Sequence, residues 1–121
     1  MGVDATIRAA DRKPLGDTED IQRALVKAFP GIKFTFHTYY RKQTVVEALM
    51  NLLPGGVERA LNRQSVPGCY GDYETEGLTA QFSFALDRAE QIDVQLYGKS
   101  EVANPKLALL TELTGWRMKY D

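Results

Sequence analysis

His37 is the only histidine in the 121-residue chain and Cys69 the only cysteine. One chain therefore cannot assemble a two-histidine acid–base pair, a multi-histidine metal site, an internal disulfide or a multi-cysteine metal site. His37 lies in Lys33-Phe34-Thr35-Phe36-His37-Thr38-Tyr39-Tyr40-Arg41-Lys42, where basic and aromatic side chains crowd one strand end. Lys33, His37, Tyr39, Tyr40 and Arg41 together offer hydrogen-bond donors, positive charge and flat rings, a set suited to an anion or a planar ligand. Tyr73 is a candidate to join them. The simpler role is an amphipathic strand whose tyrosines close a core while its cations stay in water.

Other groups offer less. Asp72, Glu74 and Glu76 alternate and should share one face of a strand. Same-face neighbours on a strand stand about 7 Å apart, too far to hold one small cation unaided, so an edge strand guarded by charge is the plainer reading. Cys69 follows Pro67-Gly68, and no sequence argument brings a base beside it to activate the thiol. Ser65 and Ser83 lack a nucleophile-elbow context. Gly55-Gly56 precedes Val57-Glu58 rather than a phosphate-cradling Lys-Ser/Thr, and Gly68, Gly71 and Gly77 are misspaced for a dinucleotide loop. Trp116 is in phase with Met118 and Tyr120, as a core anchor would be. No catalytic residues, metal ligands or cofactor site are assigned.

The elements that must position these groups follow from periodicity. Val3 to Ala9 alternates as a strand. Asp17 or Thr18 caps a helix in which Ile21, Ala24, Leu25, Ala28 and Phe29 form one apolar stripe, ended by Pro30-Gly31. Ile32, Phe34 and Phe36 then alternate with Lys33, Thr35 and His37. Thr44 opens a second helix through Val45, Leu49, Leu52 and Leu53, broken at Pro54-Gly55-Gly56, and Ser65-Val66-Pro67-Gly68 reads as a loop. A short strand at Tyr70–Thr75, one from Leu78 to Leu86 and one from Ile92 to Tyr97 make a three-strand meander. Asn104-Pro105 reads as the start of a third helix and Gly115 as its C′ residue, before a closing strand.

The order β-α-β-α-β-β-β-α-β, with one apolar and one polar face on nearly every strand, predicts an α+β fold. It is a two-layer sandwich: a mostly antiparallel sheet with three main helices on one face. The length suits one domain over 1–121. The expected core is Ile21, Leu25, Phe29, Phe34, Phe36, Leu49, Phe82, Phe84, Val94, Leu96, Leu110 and Trp116. The opposite, polar face should display Lys33, Thr35 and His37, then Thr79, Gln81 and Ser83, then Asp93, Gln95 and Tyr97, and finally Arg117 and Lys119.

Composition narrows the function class. A net charge of −1 argues against a nucleic-acid partner, and the phenylalanines that might stack bases fall on the helix side. No apolar run nears the ~18 residues a membrane span needs, and Met1 to Ala10 lacks a signal-peptide core. A single cysteine fits a reducing, cytoplasmic setting. The expected function is a non-catalytic binding or interaction domain of accessory, inhibitor or immunity type, or a self-association module. Its partner is a protein or a second copy. Lys33, His37, Tyr39, Tyr40, Arg41, Gln81, Gln95 and Tyr97 are its candidate contact residues. The rival expectation is a small enzyme or small-ligand binder using the strand-end His/Tyr/Arg cluster.

Overall fold

The computed structural model describes residues 2–11, 13–40, 65–86 and 89–120. The helix expected from Thr44 to Leu53, the core residue Leu49 and the candidate Arg41 lie outside the described residues. The described elements are β1 (Gly2–Arg8), α1 (Thr18–Ala28), β2 (Lys33–Tyr40), β3 (Ser65–Thr75), β4 (Leu78–Ala85), β5 (Gln91–Gly98), α2 (Ser100–Thr114) and β6 (Arg117–Tyr120). The fold is α+β. Six strands form one open antiparallel sheet in the order β2-β3-β4-β5-β1-β6, accompanied by two described helices.

The helices form where the apolar stripe and the first-turn charges favour them. In α1, Ile21, Leu25 and Ala28 are buried, and Glu19 and Asp20 occupy the first turn, where the helix dipole favours carboxylates. Asp17 sits at the N-cap with an extended backbone, but its side chain makes no capping bond. The expected Asp17 or Thr18 side-chain cap is therefore not supported for Asp17.

The third expected helix starts earlier than Asn104-Pro105. It begins at Ser100, and Pro105 falls inside it. Ala103 is in phase with Leu107 and Leu110, and all three are buried. Extending the helix buries Ala103, against the backbone bond that Pro105 cannot donate and the crowding of its ring on the turn before it. Gly115 does end it, at φ +75, a left-handed conformation that L side chains disfavour.

The strand residues of the main core share one face. Ala5 and Ile7, Cys69 and Tyr73, Ala80, Phe82 and Phe84, and Ile92, Val94 and Leu96 join Ile21, Leu25, Leu107 and Leu110 in one core cluster. Phe29 is its hub, edge-on to Tyr73 at 5.2 Å and to Phe82 at 4.8 Å between ring centres. Edge-to-face pairs of this kind add to the burial itself. Three core expectations change: Phe34 is only partly buried against the cluster, and the other two are Trp116 and Phe36. Trp116 is half-buried against the cluster rather than within it. Phe36 is 66% exposed. It has the phase of the helix-facing residues, but β2 is the outermost strand, and Phe36 lies beyond Phe34, which still packs on the core.

β3 is also longer than expected. Ser65 to Gly68 is strand rather than loop, because Pro67 pairs with Thr38 and its carbonyl accepts the Leu86 N–H at 2.9 Å. β3 lies between β2 and β4, so its acidic residues do not guard an edge. Asp72 instead accepts a bond from the Gln81 amide at 3.1 Å, and Glu76 sits in the turn before β4.

Two glycines seat β2 on β3, one on each face. A Cβ on Gly71 would collide with Ile32 and Phe34 on the core side, and one on Gly68 with the Tyr39 Cβ on the polar side.

Candidate functional site

The register assembles the polar face in rows. Lys33 pairs with Asp72, Asp72 with Gln81, Gln81 with Gln95 and Gln95 with Asp4. The next row runs Thr35, Tyr70, Ser83, Asp93, Thr6 and Lys119. Among the sequence candidates, Lys33, His37, Gln81, Gln95 and Tyr97 thus belong to one face, with Tyr39 folded over it. Tyr97 is half-exposed beside Gly2, whose missing Cβ makes room for the ring. Tyr73 is not part of the set. It has the opposite phase, is buried against Phe29, and carries the Lys106 ammonium 5.4 Å from its ring centre.

Tyr39 is the most constrained member. Only 5% of it is exposed, and its hydroxyl donates to Asp93 Oδ2 at 2.8 Å. The bond spans from the outermost strand to β5, so the end of β2 leans over the sheet. Asp93 also accepts from the Gln91 amide at 2.8 Å, and the Gln91 carbonyl oxygen accepts from the Arg8 guanidinium at 2.7 Å. Burial pushes the Tyr39 hydroxyl well above the ordinary tyrosine range, and the hydrogen bond to the Asp93 carboxylate adds to the shift. A phenol held protonated in this way is a poor general base and a fixed structural donor.

Arg8 and Gln91 were absent from the sequence candidates. Alternation alone places Gln91 beside Asp93, but Arg8 becomes their neighbour only once β1 is known to pair with β5.

His37 is exposed and tilts over Tyr70, with ring centres 5.4 Å apart, while the Tyr70 hydroxyl donates to the Thr38 carbonyl at 3.1 Å. Beside them is an open hollow of about 470 Å³ lined by Phe36, His37, Thr38, Val66, Pro67 and Leu86. A second hollow of about 310 Å³ lies over Val3, Leu78 and Leu96 beside the start of α2. The strand-end cluster therefore separates. His37 faces solvent, Tyr39 is turned inward to Asp93, and Arg41 lies outside the described residues. Of Tyr40, only its place at the end of β2 is described.

Cys69 is buried on the helix side, and its Sγ accepts a long bond from the Gln22 amide at 3.5 Å. Burial raises its pKa, with the Gln22 bond opposing in part, so the thiol stays protonated and weakly nucleophilic at neutral pH. Among the described residues no group of three or more His, Cys, Asp or Glu side chains is placed to hold a metal ion. Among them, too, no helix is long and apolar enough to cross a membrane.

No family model, curated protein or solved structure matches the chain. What can be said of its function thus rests on the chemistry of these surfaces.

Proposed function

We propose that the chain is a non-catalytic binding domain of the cytoplasm, recognising a protein partner or a copy of itself through the β2 side of its sheet. The observation that carries this reading is Phe36. A phenylalanine 66% exposed on the outermost strand, beside a hollow walled by Val66, Pro67 and Leu86, leaves apolar area in water that an interface would remove. Aromatic side chains of this kind anchor protein interfaces. On the opposite face of the same sheet, Lys33, His37 and the half-exposed Tyr97 add polar contacts, with Gln81 and Gln95 between them.

The rival enzyme or small-ligand reading asks His37, Tyr39, Tyr40 and Arg41 to converge on one ligand. The commitment of the Tyr39 hydroxyl to Asp93 speaks against it. A two-layer arrangement belongs to the favoured reading: the helices cover the Phe82 side of the inner strands, and Phe36, on that same side of the end strand, stays 66% exposed. Nucleic acid fits poorly, because Asp4, Asp72 and Asp93 share that face with its cations.

The test is affinity capture with chemical cross-linking in a lysate of the native host, using the wild type and Phe36→Glu side by side. The expected result is a cross-linked protein, another chain or a second copy, that Phe36→Glu loses. Equal capture by both proteins, or capture by neither, contradicts the reading.

A further inference from the structure

We infer that the partner of β2 is a second copy of the same strand, paired antiparallel across a two-fold axis at Phe36, so that two six-stranded sheets become one continuous sheet. This rests on the reading of β2 as the contact surface and names its occupant. Among the described strands, the ends of the sheet are β2 and β6. Alternate residues of an end strand aim their N–H and C=O groups away from the neighbour, and these are satisfied by another strand as readily as by water. β2 runs for eight residues, Lys-Phe-Thr-Phe-His-Thr-Tyr-Tyr, without proline or acidic residues. Strand-forming aromatic and β-branched residues dominate it.

Symmetry and side-chain phase restrict how two copies can meet. Residues directly opposite one another in a sheet share a face, so only registers that place a residue on the two-fold axis keep helix sides together. The places of Lys33 and Phe36 choose among these. An axis at His37 sets the two imidazoles opposite each other. An axis at Thr35 sets Lys33 opposite the other copy's His37, and an axis at Phe34 brings the two Lys33 side chains within a diagonal step. An axis at Phe36 opposes Phe36 to Phe36, Thr35 to His37 and Lys33 to Tyr39. The two lysines then stand six residues apart, roughly 20 Å along the strand. This register alone stacks the exposed ring on its own copy, and it also keeps the two Lys33 side chains apart. A two-fold pairing of this kind also closes on itself and leaves the β6 ends outermost.

Two measurements on the purified full chain test this. The first is sedimentation velocity from about 1 to 300 μM on wild type, Phe36→Glu and Leu113→Ser, the last an exposed apolar residue on α2. A concentration-dependent dimer is expected for wild type and Leu113→Ser, with association weakened at least tenfold in Phe36→Glu. The second fixes the register. Thr35→Cys and His37→Cys proteins, each prepared alone and then mixed under mild oxidation, should cross-link to one another in preference to themselves, since opposed positions lie within disulfide reach. The buried Cys69 projects to the other face and does not compete. A monomer across the whole range, a dimer indifferent to Phe36→Glu, or like-with-like cross-linking overturns the inference. A monomeric wild type that still captures another protein in a Phe36-dependent way overturns self-pairing while leaving the binding-domain reading standing.

Discussion

The two ends of the sheet solve the same physical problem in different ways. Any end strand offers unpaired backbone groups to passing chains. β6 has four residues, Arg-Met-Lys-Tyr, with Arg117 and Lys119 exposed, and it is paired over only four positions of β1. It is short and cationic, two features that discourage another strand from adding. β2 is twice as long, carries one lysine at its first residue, and presents Phe36 to solvent. It is also held inward at its far end by Tyr39, which β6 has no counterpart for among the described residues. That contrast is why β2, and not β6, is the proposed contact surface.

The largest effects should come from what seats the β2 side on the core. Phe29 ties α1 to Tyr73 of β3 and Phe82 of β4, and Phe29→Ala should lower unfolding free energy by about 3–5 kcal/mol in denaturant titration. Gly68→Ala should cost about 1–3 kcal/mol, because its Cβ meets Tyr39, the His37 carbonyl and the Phe84 carbonyl. If Gly68→Ala is silent, β2 is not held as closely as its register implies.

Tyr39→Phe comes next, at about 1–2 kcal/mol, since Asp93 loses one donor but keeps Gln91. It also has a pH signature. The folded Tyr39 hydroxyl titrates above the ordinary tyrosine value of about 10, so the stability it brings is complete below that pH. That stability is lost as pH rises toward the folded value, when the unfolded chain ionises first. Wild type should therefore weaken above about pH 10, and Tyr39→Phe should show a shallower alkaline fall. Equal slopes for the two proteins would show that Tyr39 is not held protonated.

Much of this was legible in the residues alone. The phase of every described strand, and so which side chains share the polar face, follows from alternation in segments such as Leu78 to Leu86. The α1 stripe and the Gly115 stop follow from helical spacing. Strand order is different, because it depends on pairings between distant segments that no local pattern encodes. Phe36 illustrates the consequence: its phase is that of a core residue, but only the place of β2 at the end of the sheet exposes it. The Arg8–Gln91–Asp93–Tyr39 chain was hidden for the same reason. The start of α2 was missed because Asn104-Pro105 resembles a helix start more strongly than Ser100 does, while burial of Ala103 decides the matter.

The smallest effects separate the ends themselves. Phe36→Glu and Lys119→Val should each change stability by no more than about 0.5 kcal/mol, since both residues are exposed. Their association should move in opposite directions. Phe36→Glu should disperse the protein, and Lys119→Val, which removes a guard from β6, should make light scattering rise with concentration. If Lys119→Val has no effect, cation placement is not what keeps β6 unpaired.

The most direct test of β2 as the contact surface is a dilution series of backbone amide spectra on the wild-type protein. Concentrating the sample from about 10 to 500 μM should shift or broaden the amides of Lys33 to Tyr40 and their partners on β3. Those of Arg117 to Tyr120 on β6 should stay unchanged. Changes centred on β6, on α2 or on the middle strands, with β2 unmoved, would contradict the account.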